Sequence, residues 1–194
     1  VHSDWTRAHF IDNTWQYDYQ ESVHRRVHNK YLRGNLANTW HYPKILRTCT
    51  ILLRRSSLQA WYDSGLMDNK YHFGDSVLHT WITIQGQVAY LPAVTAVYRV
   101  SPNSALRSGS AARIALYYSA LMFDDAAQQF FTPIRGYYPK GYRWDSAAGL
   151  ILWGLRAGDW SAIKDGLNDF KKNFSLVEFI KIGCQTLFMR LPTL

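Results

Sequence analysis

The side chain best suited to chemistry in this sequence is the carboxylate of Asp75, which follows Gly74 at the start of an apolar helical pattern. A carboxylate held near a hydroxyl group can accept its proton while the oxygen forms a new bond. The start of a helix is a rigid position for such a group. The same position also suits an N-cap, in which the side chain accepts from free backbone N–H groups. The residues alone therefore predict a general base, a helix cap or both.

Arginine side chains form a second group that could contact a ligand. Arg99 follows a run of β-branched residues, and Arg54 and Arg55 follow an apolar segment. Guanidinium groups bind phosphate and carboxylate oxygens in a forked geometry. Because side chains alternate along an extended segment, at most one of Arg54 and Arg55 is expected to face a site. Arg99 is expected either to reach a diphosphate and order the loop after it, or to lie at the surface.

Three aromatic residues could stack on the apolar C–H faces of a sugar, namely Trp5, Trp81 and Tyr98. Trp81 lies four residues after Val77, at helical spacing, so we expect it to pack in the core instead. Trp5 and Tyr98 both fall in segments that the sequence predicts to be strands.

Other kinds of catalytic or metal site are disfavoured. His24 and His28 are four residues apart but lack the acidic partner of the His-Glu-x-x-His pattern, so a solvated helix face is the better interpretation. No Gly-x-Ser-x-Gly elbow and no glycine-rich phosphate loop occurs. The two cysteines, Cys49 and Cys184, cannot build a disulfide framework and favour a reducing compartment.

Length and composition indicate one packed domain, with 194 residues, 47% hydrophobic and 19% charged. The net charge is +8, and most of the positive excess lies in the first 113 residues. A nucleic-acid partner is disfavoured because no dense Lys/Arg run and no zinc-finger spacing occurs. The sequence also shows no segment apolar enough to span a membrane and no signal peptide. The chain opens without Met in a strand-like segment, which favours a fragment.

Hydrophobic periodicity divides the chain into a mixed first part, residues 1–132, and a helical extension, residues 133–194. Strands are predicted over residues 1–5, 48–53, 88–91 and 94–100, the last two hinged at Pro92. Helices are predicted over residues 21–32, 58–62, 74–85 and about 110–131, and residues 10–19 are expected to form a loop. In the extension, one helix is predicted from Asp145 to a stop at Gly158, and Asp159 begins another. Ser175 and Glu178 then form a capping box before an apolar segment.

Four segments resemble, in order and spacing, the second half of the inverting nucleotide-sugar glycosyltransferases of family 2. Residues 48–56 form an apolar stretch that ends in an arginine pair, and residues 73–82 place Gly-Asp at a helix start. Residues 86–91 read Gly-x-x-x-Tyr-Leu, and residues 98–104 read Tyr-Arg followed by a loop with a serine. The resemblance covers about 57 residues, and each segment alone is a weak signal.

The resemblance implies an α/β fold, a partial GT-A-like mixed sheet with flanking helices, followed by the helical extension. It aligns Asp75 with the catalytic base that deprotonates a glycan or lipid-linked acceptor. It also implies substrate-binding positions, which are Gly74, Arg99, Tyr98, Arg54, Trp5 and Ser104. The complete enzyme would use a nucleotide-sugar donor and Mg or Mn. The family's Asp-x-Asp metal motif does not occur here, so the donor-binding half and most metal ligands are expected outside this chain.

The apolar segment over residues 174–191 leaves three alternatives open: packing against the preceding helices, contact with a membrane surface, or association with another subunit. The competing functional hypothesis is a non-catalytic binding or assembly module whose basic face meets an anionic partner. A cytoplasmic location is expected, with peripheral membrane contact as an open alternative.

Overall fold

The computed structural model describes residues 1–17, 32–36, 46–65, 71–72, 74–100, 109–135 and 138–190. These residues form a mixed α/β fold, which confirms the expected fold class at that level. The strands and α-helices, in chain order, are β1 (His2–Ile11), β2 (Thr14–Tyr17), α1 (Arg55–Asp63), α2 (Gly74–Gln85), β3 (Tyr90–Val100), α3 (Ser110–Arg135), α4 (Gly141–Ala157), α5 (Trp160–Asn173) and α6 (Leu176–Arg190). Among the described helices, none combines the length and the apolar character that crossing a membrane requires.

The described strands form one sheet in the order β2-β1-β3. β1 and β2 make an antiparallel hairpin through Asp12 and Asn13, both of which have positive φ. Asn and Asp tolerate this conformation, and two-residue turns of this kind match the twist of paired strands. The loop predicted over residues 10–19 is therefore wrong for residues 10–11 and 14–17, which pair across the two strands. Residues 12–13 form the turn, and residues 18–19 lie outside the described ranges.

β1 pairs with β3 in parallel, from His2 opposite Tyr90 to His9 opposite Val100. Parallel neighbours need a long crossover connection, and α1 and α2 both lie in the chain between them. β3 is the outer strand of the described sheet.

The two strands predicted around Pro92 are one strand with an irregular register. Ser3 is opposite Leu91 whereas the next residue, Asp4, is opposite Val94, so β3 holds two extra residues at this point. Proline has no N–H to donate to a neighbouring strand, and such residues are accommodated at bulges.

The buried strand predicted over residues 48–53 is wrong. Thr48–Thr50 is a single 3₁₀ turn, and Ile51 forms only one bridge, to His2. Leu52 exchanges two backbone hydrogen bonds with Val1 at 2.9 and 3.0 Å, and its side chain is 74% exposed. The β-branched composition favoured a strand, but in the described part of the chain these residues pair only with Val1 and His2. The helix predicted over residues 21–32 lies almost entirely outside the described residues.

The main core lies between α2, α3 and the start of α4. Phe123 and Phe131 are fully buried, and the ring of Trp81 lies 5.7 Å from that of Phe131, which confirms the core prediction for Trp81. Tyr138 stacks on Phe131 at 6.5 Å. Residues on both sides of position 132 therefore share one core, and α3 continues through Pro133. The division into 1–132 and 133–194 remains a prediction.

Capping and stop residues in the sequence predicted most helix ends of the extension correctly. Gly158 ends α4 in the left-handed conformation at φ +68°, and the Asp159 carboxylate accepts from the Ala162 N–H at 3.0 Å. In the capping box, Ser175 N–H donates to Glu178 at 2.9 Å and Glu178 N–H donates to the Ser175 hydroxyl at 3.2 Å. Lys140 and these contacts lower the pKa of Glu178 to about 2. The start predicted at Asp145 is wrong, because α4 begins one turn earlier at Gly141.

One face of α6 packs against the preceding helices. Packing of this kind was one of the three alternatives for the apolar segment over residues 174–191. Ile182 is buried, and Phe179 contacts the rings of Trp144 and Phe170. The opposite side of the first turns is exposed and apolar, with Leu176, Val177 and Ile180.

A buried arginine joins α3, α4 and α5. The Arg143 guanidinium donates to Asp124 at 3.3 Å, to Asp125 at 2.6 Å and to Asp169 at 3.0 Å. Burial raises the pKa of Asp124 to about 7 in spite of the opposing charge of Arg143, and the nearby Asp125 adds to the increase. The three carboxylates raise the pKa of Arg143 further above its usual value despite its burial. One cation thus binds three helices together.

Gly166→Ala should lower the free energy of unfolding by about 1–3 kcal/mol, because the added methyl group overpacks the contact between α5 and α4. A Cβ there would lie 2.6 Å from Ile151 Cγ1 and 3.0 Å from the Ala147 carbonyl oxygen. The control is Gly183→Ala in α6, where the nearest atom is 3.4 Å away in Trp144. That change should be neutral or stabilising by up to about 1 kcal/mol. Urea unfolding measures both, and equal stability of Gly166→Ala and wild type would contradict the packing.

Asp124→Asn should flatten the dependence of stability on pH. The pKa of Asp124 is raised from 3.8 to about 7, so the folded state holds this proton more tightly than the unfolded chain does. Its contribution is complete below pH 3.8 and is lost as pH rises through about 7. The variant should therefore lose less stability than wild type between pH 4 and 8, by about 1–3 kcal/mol. Asp63→Asn, at an exposed carboxylate of α1 outside the Arg143 cluster, should keep the wild-type slope, and equal slopes in all three proteins would contradict the prediction.

Candidate active site

Asp75 is the second residue of α2, and its side chain is exposed. One carboxylate oxygen accepts from the Ser76 N–H at 2.8 Å, and the other accepts from the Thr48 hydroxyl at 3.4 Å. Asp75 thus lies inside the first helical turn and is not the N-cap. No described cation forms an ion pair with it, which leaves the carboxylate open to solvent.

His79 lies one turn after Asp75 on the same helix and is only 3% exposed. Its Nε2 atom has no hydrogen-bond partner among the described residues. Burial lowers the pKa of His79 to about 4, with the charge of Asp75 acting to raise it and that of Arg47 acting to lower it further. The imidazole is therefore neutral at physiological pH. Sequence reasoning missed His79, although its spacing of four residues from Asp75 was a usable signal.

Trp5 is the centre of a second cluster beside Asp75. The guanidinium carbons of Arg47 and Arg7 lie 5.1 and 5.8 Å from the centre of its ring, and the Tyr98 ring meets it edge-on at 5.5 Å. Trp5 itself is 2% exposed, so it presents no open face to a sugar. The large apolar area of an indole ring favours such burial. Arg47 directly precedes Thr48, whose hydroxyl contacts Asp75, so the two clusters adjoin.

The structure separates the remaining predicted residues from this cluster. Arg99 lies 6.0 Å from the Trp15 ring, and because neighbours alternate along β3 it projects to the face opposite Tyr98. Arg54 lines a cleft of about 690 Å³ with Trp81 and Gln85 at the far end of α2. That end lies about 15 Å from Asp75 by the rise of an α-helix.

Gly74 and Ser104 are the last two predicted positions. Gly74 begins α2 directly before Asp75, and open space surrounds its α-carbon. Ser104 lies outside the described residues. Of the predicted positions, Asp75, Tyr98 and Trp5 lie in these two adjoining clusters. Four residues that the sequence analysis did not single out lie there too, namely Arg7, Arg47, Thr48 and His79.

The described residues do not fit a divalent metal. No group of three or more His, Cys, Asp or Glu side chains in the described ranges could hold one. The chemistry available here is therefore that of a carboxylate, two guanidiniums, hydroxyl groups and a neutral imidazole.

Comparisons with protein-family models, with curated proteins and with solved structures found no match for this chain. The resemblance to family 2 glycosyltransferases rests on the four sequence segments alone.

The pKa of His79 should respond in opposite directions to its two charged neighbours. Asp75→Asn removes a charge that raises this pKa, so the pKa should fall below about 4. Arg47→Gln removes a charge that lowers it, so the pKa should rise toward 6.5. NMR titration of the His79 Cε1–H resonance, assigned with His79→Gln, measures both shifts. An unchanged titration in both variants would show that the three groups do not interact.

Proposed function

We propose that this chain is the acceptor side of an inverting, nucleotide-sugar-dependent glycosyltransferase of GT-A type that transfers a sugar to a glycan or lipid-linked acceptor. The observation that carries the proposal is the exposed Asp75 carboxylate at the start of α2, which accepts from the hydroxyl of Thr48, the residue after Arg47. A base that must reach a substrate hydroxyl needs this exposure, and a departing diphosphate needs nearby positive charge.

The secondary structure of three of the four resembling segments supports the proposal. A helix begins at Gly74, and both Tyr90-Leu91 and Tyr98-Arg99 lie in one strand. The parallel pairing of that strand with β1 agrees with a mixed sheet. The segment over residues 48–56 gives no support as a strand, since it forms a 3₁₀ turn and the start of α1.

In the proposed reaction, Asp75 accepts the proton of an acceptor hydroxyl as its oxygen attacks the anomeric carbon of the donor sugar. The bond between that carbon and the diphosphate breaks on the opposite face, and the diphosphate leaves with the electron pair. The configuration of the carbon is therefore inverted. Guanidinium groups stabilise the charge that develops on the leaving oxygens. The Mg or Mn of this proposal would have most of its ligands outside this chain.

The proposal assigns donor binding to sequence outside these 194 residues, because no Asp-x-Asp motif occurs within them. A calorimetric titration of the isolated chain should therefore show no tight binding of a nucleotide sugar. A cytoplasmic location is part of the proposal, since both cysteines are free and a reducing compartment keeps them so.

The alternative function, an assembly module, is favoured by one observation. Leu176, Val177 and Ile180 form an exposed apolar face on α6, and Lys181 lies beside them in the same helix. Such a face suits a peripheral membrane contact or association with a second copy. Sedimentation with anionic vesicles and light scattering of the chain alone distinguish these two partners.

Asp75→Asn in the complete enzyme should reduce donor-dependent transfer by about 10²–10⁴-fold, because the amide cannot accept the proton. Asp63→Asn is the matched control, since Asp63 is an exposed carboxylate on α1 that bonds only to Gln59 among the described residues. The control should transfer at the wild-type rate. Near-wild-type transfer by Asp75→Asn would remove Asp75 from the role of base and leave the assembly module as the better hypothesis.

A further inference from the structure

Two arginines from different parts of the chain contact the ring of one buried tryptophan, Trp5. Trp5 and Arg7 are two residues apart in β1, so their side chains project from the same face of the sheet. Arg47 reaches the same indole ring from the segment before the 3₁₀ turn. Both arginines are exposed, and neither forms an ion pair with a described carboxylate.

Two described carboxylates close to Trp5 and Thr48, those of Asp4 and Asp75, accept hydrogen bonds from groups other than these arginines. The carboxylate of Asp4 projects to the other face of β1, where it accepts from the Trp5 N–H at 2.8 Å and from the Tyr90 hydroxyl at 3.2 Å. Asp75 accepts from Thr48 and Ser76. Both guanidinium carbons lie within 5.8 Å of one ring centre, so an anion that contacts both arginines would supply the counter-charge that the described carboxylates do not.

The indole ring fixes the two guanidiniums without occupying their donors. A cation–π contact is made by the charge of the guanidinium and the face of the ring, and it uses none of the five N–H groups. Because Trp5 is 2% exposed, the platform itself is held rigidly. The N–H groups of both arginines therefore remain available to a ligand in solvent.

We propose that Arg7 and Arg47, held on Trp5, form a binding site for a phosphate group. A phosphate monoester carries a charge of about −1.5 to −2 at neutral pH, which matches two guanidiniums, whereas one carboxylate would leave one cation unpaired. Guanidinium forks also match the spacing of phosphate oxygens. Tyr98, opposite Arg7 in β3, and Thr48, next to Arg47, place hydroxyl groups beside the site.

This site deepens the proposed function, on which its biological ligand rests. In the glycosyltransferase the phosphate has two sources: the diphosphate as it leaves a donor whose nucleotide and sugar are bound outside this chain, or the phosphate of a lipid-linked acceptor. Both present the same chemistry to Arg7 and Arg47, close to Asp75. The experiment therefore separates a soluble diphosphate from a phosphate at a lipid surface.

The first measurement is calorimetric titration of the 194-residue chain with inorganic pyrophosphate at low salt. Arg7→Gln and Arg47→Gln should each weaken binding about tenfold or more, the effect of losing one charge-assisted contact. Arg99→Gln is the matched control, because Arg99 also lies over a tryptophan of this sheet, Trp15, at 6.0 Å on the opposite face. The control should bind within twofold of wild type.

The second measurement is sedimentation with phosphatidylcholine vesicles, with and without phosphatidic acid. Binding that requires phosphatidic acid and is lost in Arg47→Gln assigns the site to an acceptor lipid phosphate. Pyrophosphate binding without vesicle binding assigns it to the leaving diphosphate. Failure of both probes to bind, or equal weakening by Arg99→Gln, would overturn the proposal.

A variant that unfolds would lose phosphate binding for a reason unrelated to the site, so a second test uses the wild-type chain. If an arginine variant unfolds, the NMR shifts of the Arg7 and Arg47 Nε–H groups in the wild-type chain provide the test. They should move on addition of pyrophosphate while that of Arg99 does not, and the absence of any movement would overturn the site. If Asp75→Asn transfers at the wild-type rate while pyrophosphate binding still depends on Arg7 and Arg47, the transferase hypothesis fails and the phosphate site stands.

Discussion

Parallel pairing of β1 with β3 is the constraint on which the rest of the described site depends. Parallel neighbours must be joined by a crossover, and here the crossover contains α1 and α2. It brings the Arg47–Thr48 segment over Trp5 of β1 and places the start of α2, with Asp75, against Thr48. The carboxylate and the guanidiniums are therefore positioned by the connection between two strands, although they are far apart in sequence.

Arginine serves two opposite purposes in this chain, and the difference lies in the neighbouring charges. Arg143 is almost fully buried and contacts three carboxylates, so desolvation is offset and three helices are joined. Arg7 and Arg47 are exposed and contact an indole ring, which carries no charge and does not neutralise theirs. Burial among acids makes an arginine structural, whereas exposure on an aromatic platform leaves its charge and donors available. Composition alone counts both kinds equally in the net charge.

Features that depend on neighbours in sequence could be predicted, and features that depend on distant neighbours could not. The Gly158 stop, the Asp159 cap and the Ser175–Glu178 box are local hydrogen-bonding patterns, and the structure contains each of them. Residues 48–53 had the composition of a strand, but among the described residues they pair only with Val1 and His2. In the site, Asp75 was recognisable from its place at a helix start. Arg7 and Arg47 could not be recognised in this way. They are forty positions apart in the sequence, and only the fold brings both to the ring of Trp5.

The irregular register at Pro92 has a consequence for solubility. An outer strand offers a row of unpaired amide and carbonyl groups that another chain can extend, and β3 carries exposed Leu91, Val94 and Val97. A regular eleven-residue strand of this composition would be a strong template for intermolecular sheet growth. Two register shifts, one at Pro92 and one between Val94 and Ala96, interrupt that template and leave only residues 96–100 in regular order opposite β1. The irregular register that accommodates Pro92 therefore makes β3 a poorer template for pairing with another chain than a regular strand would be.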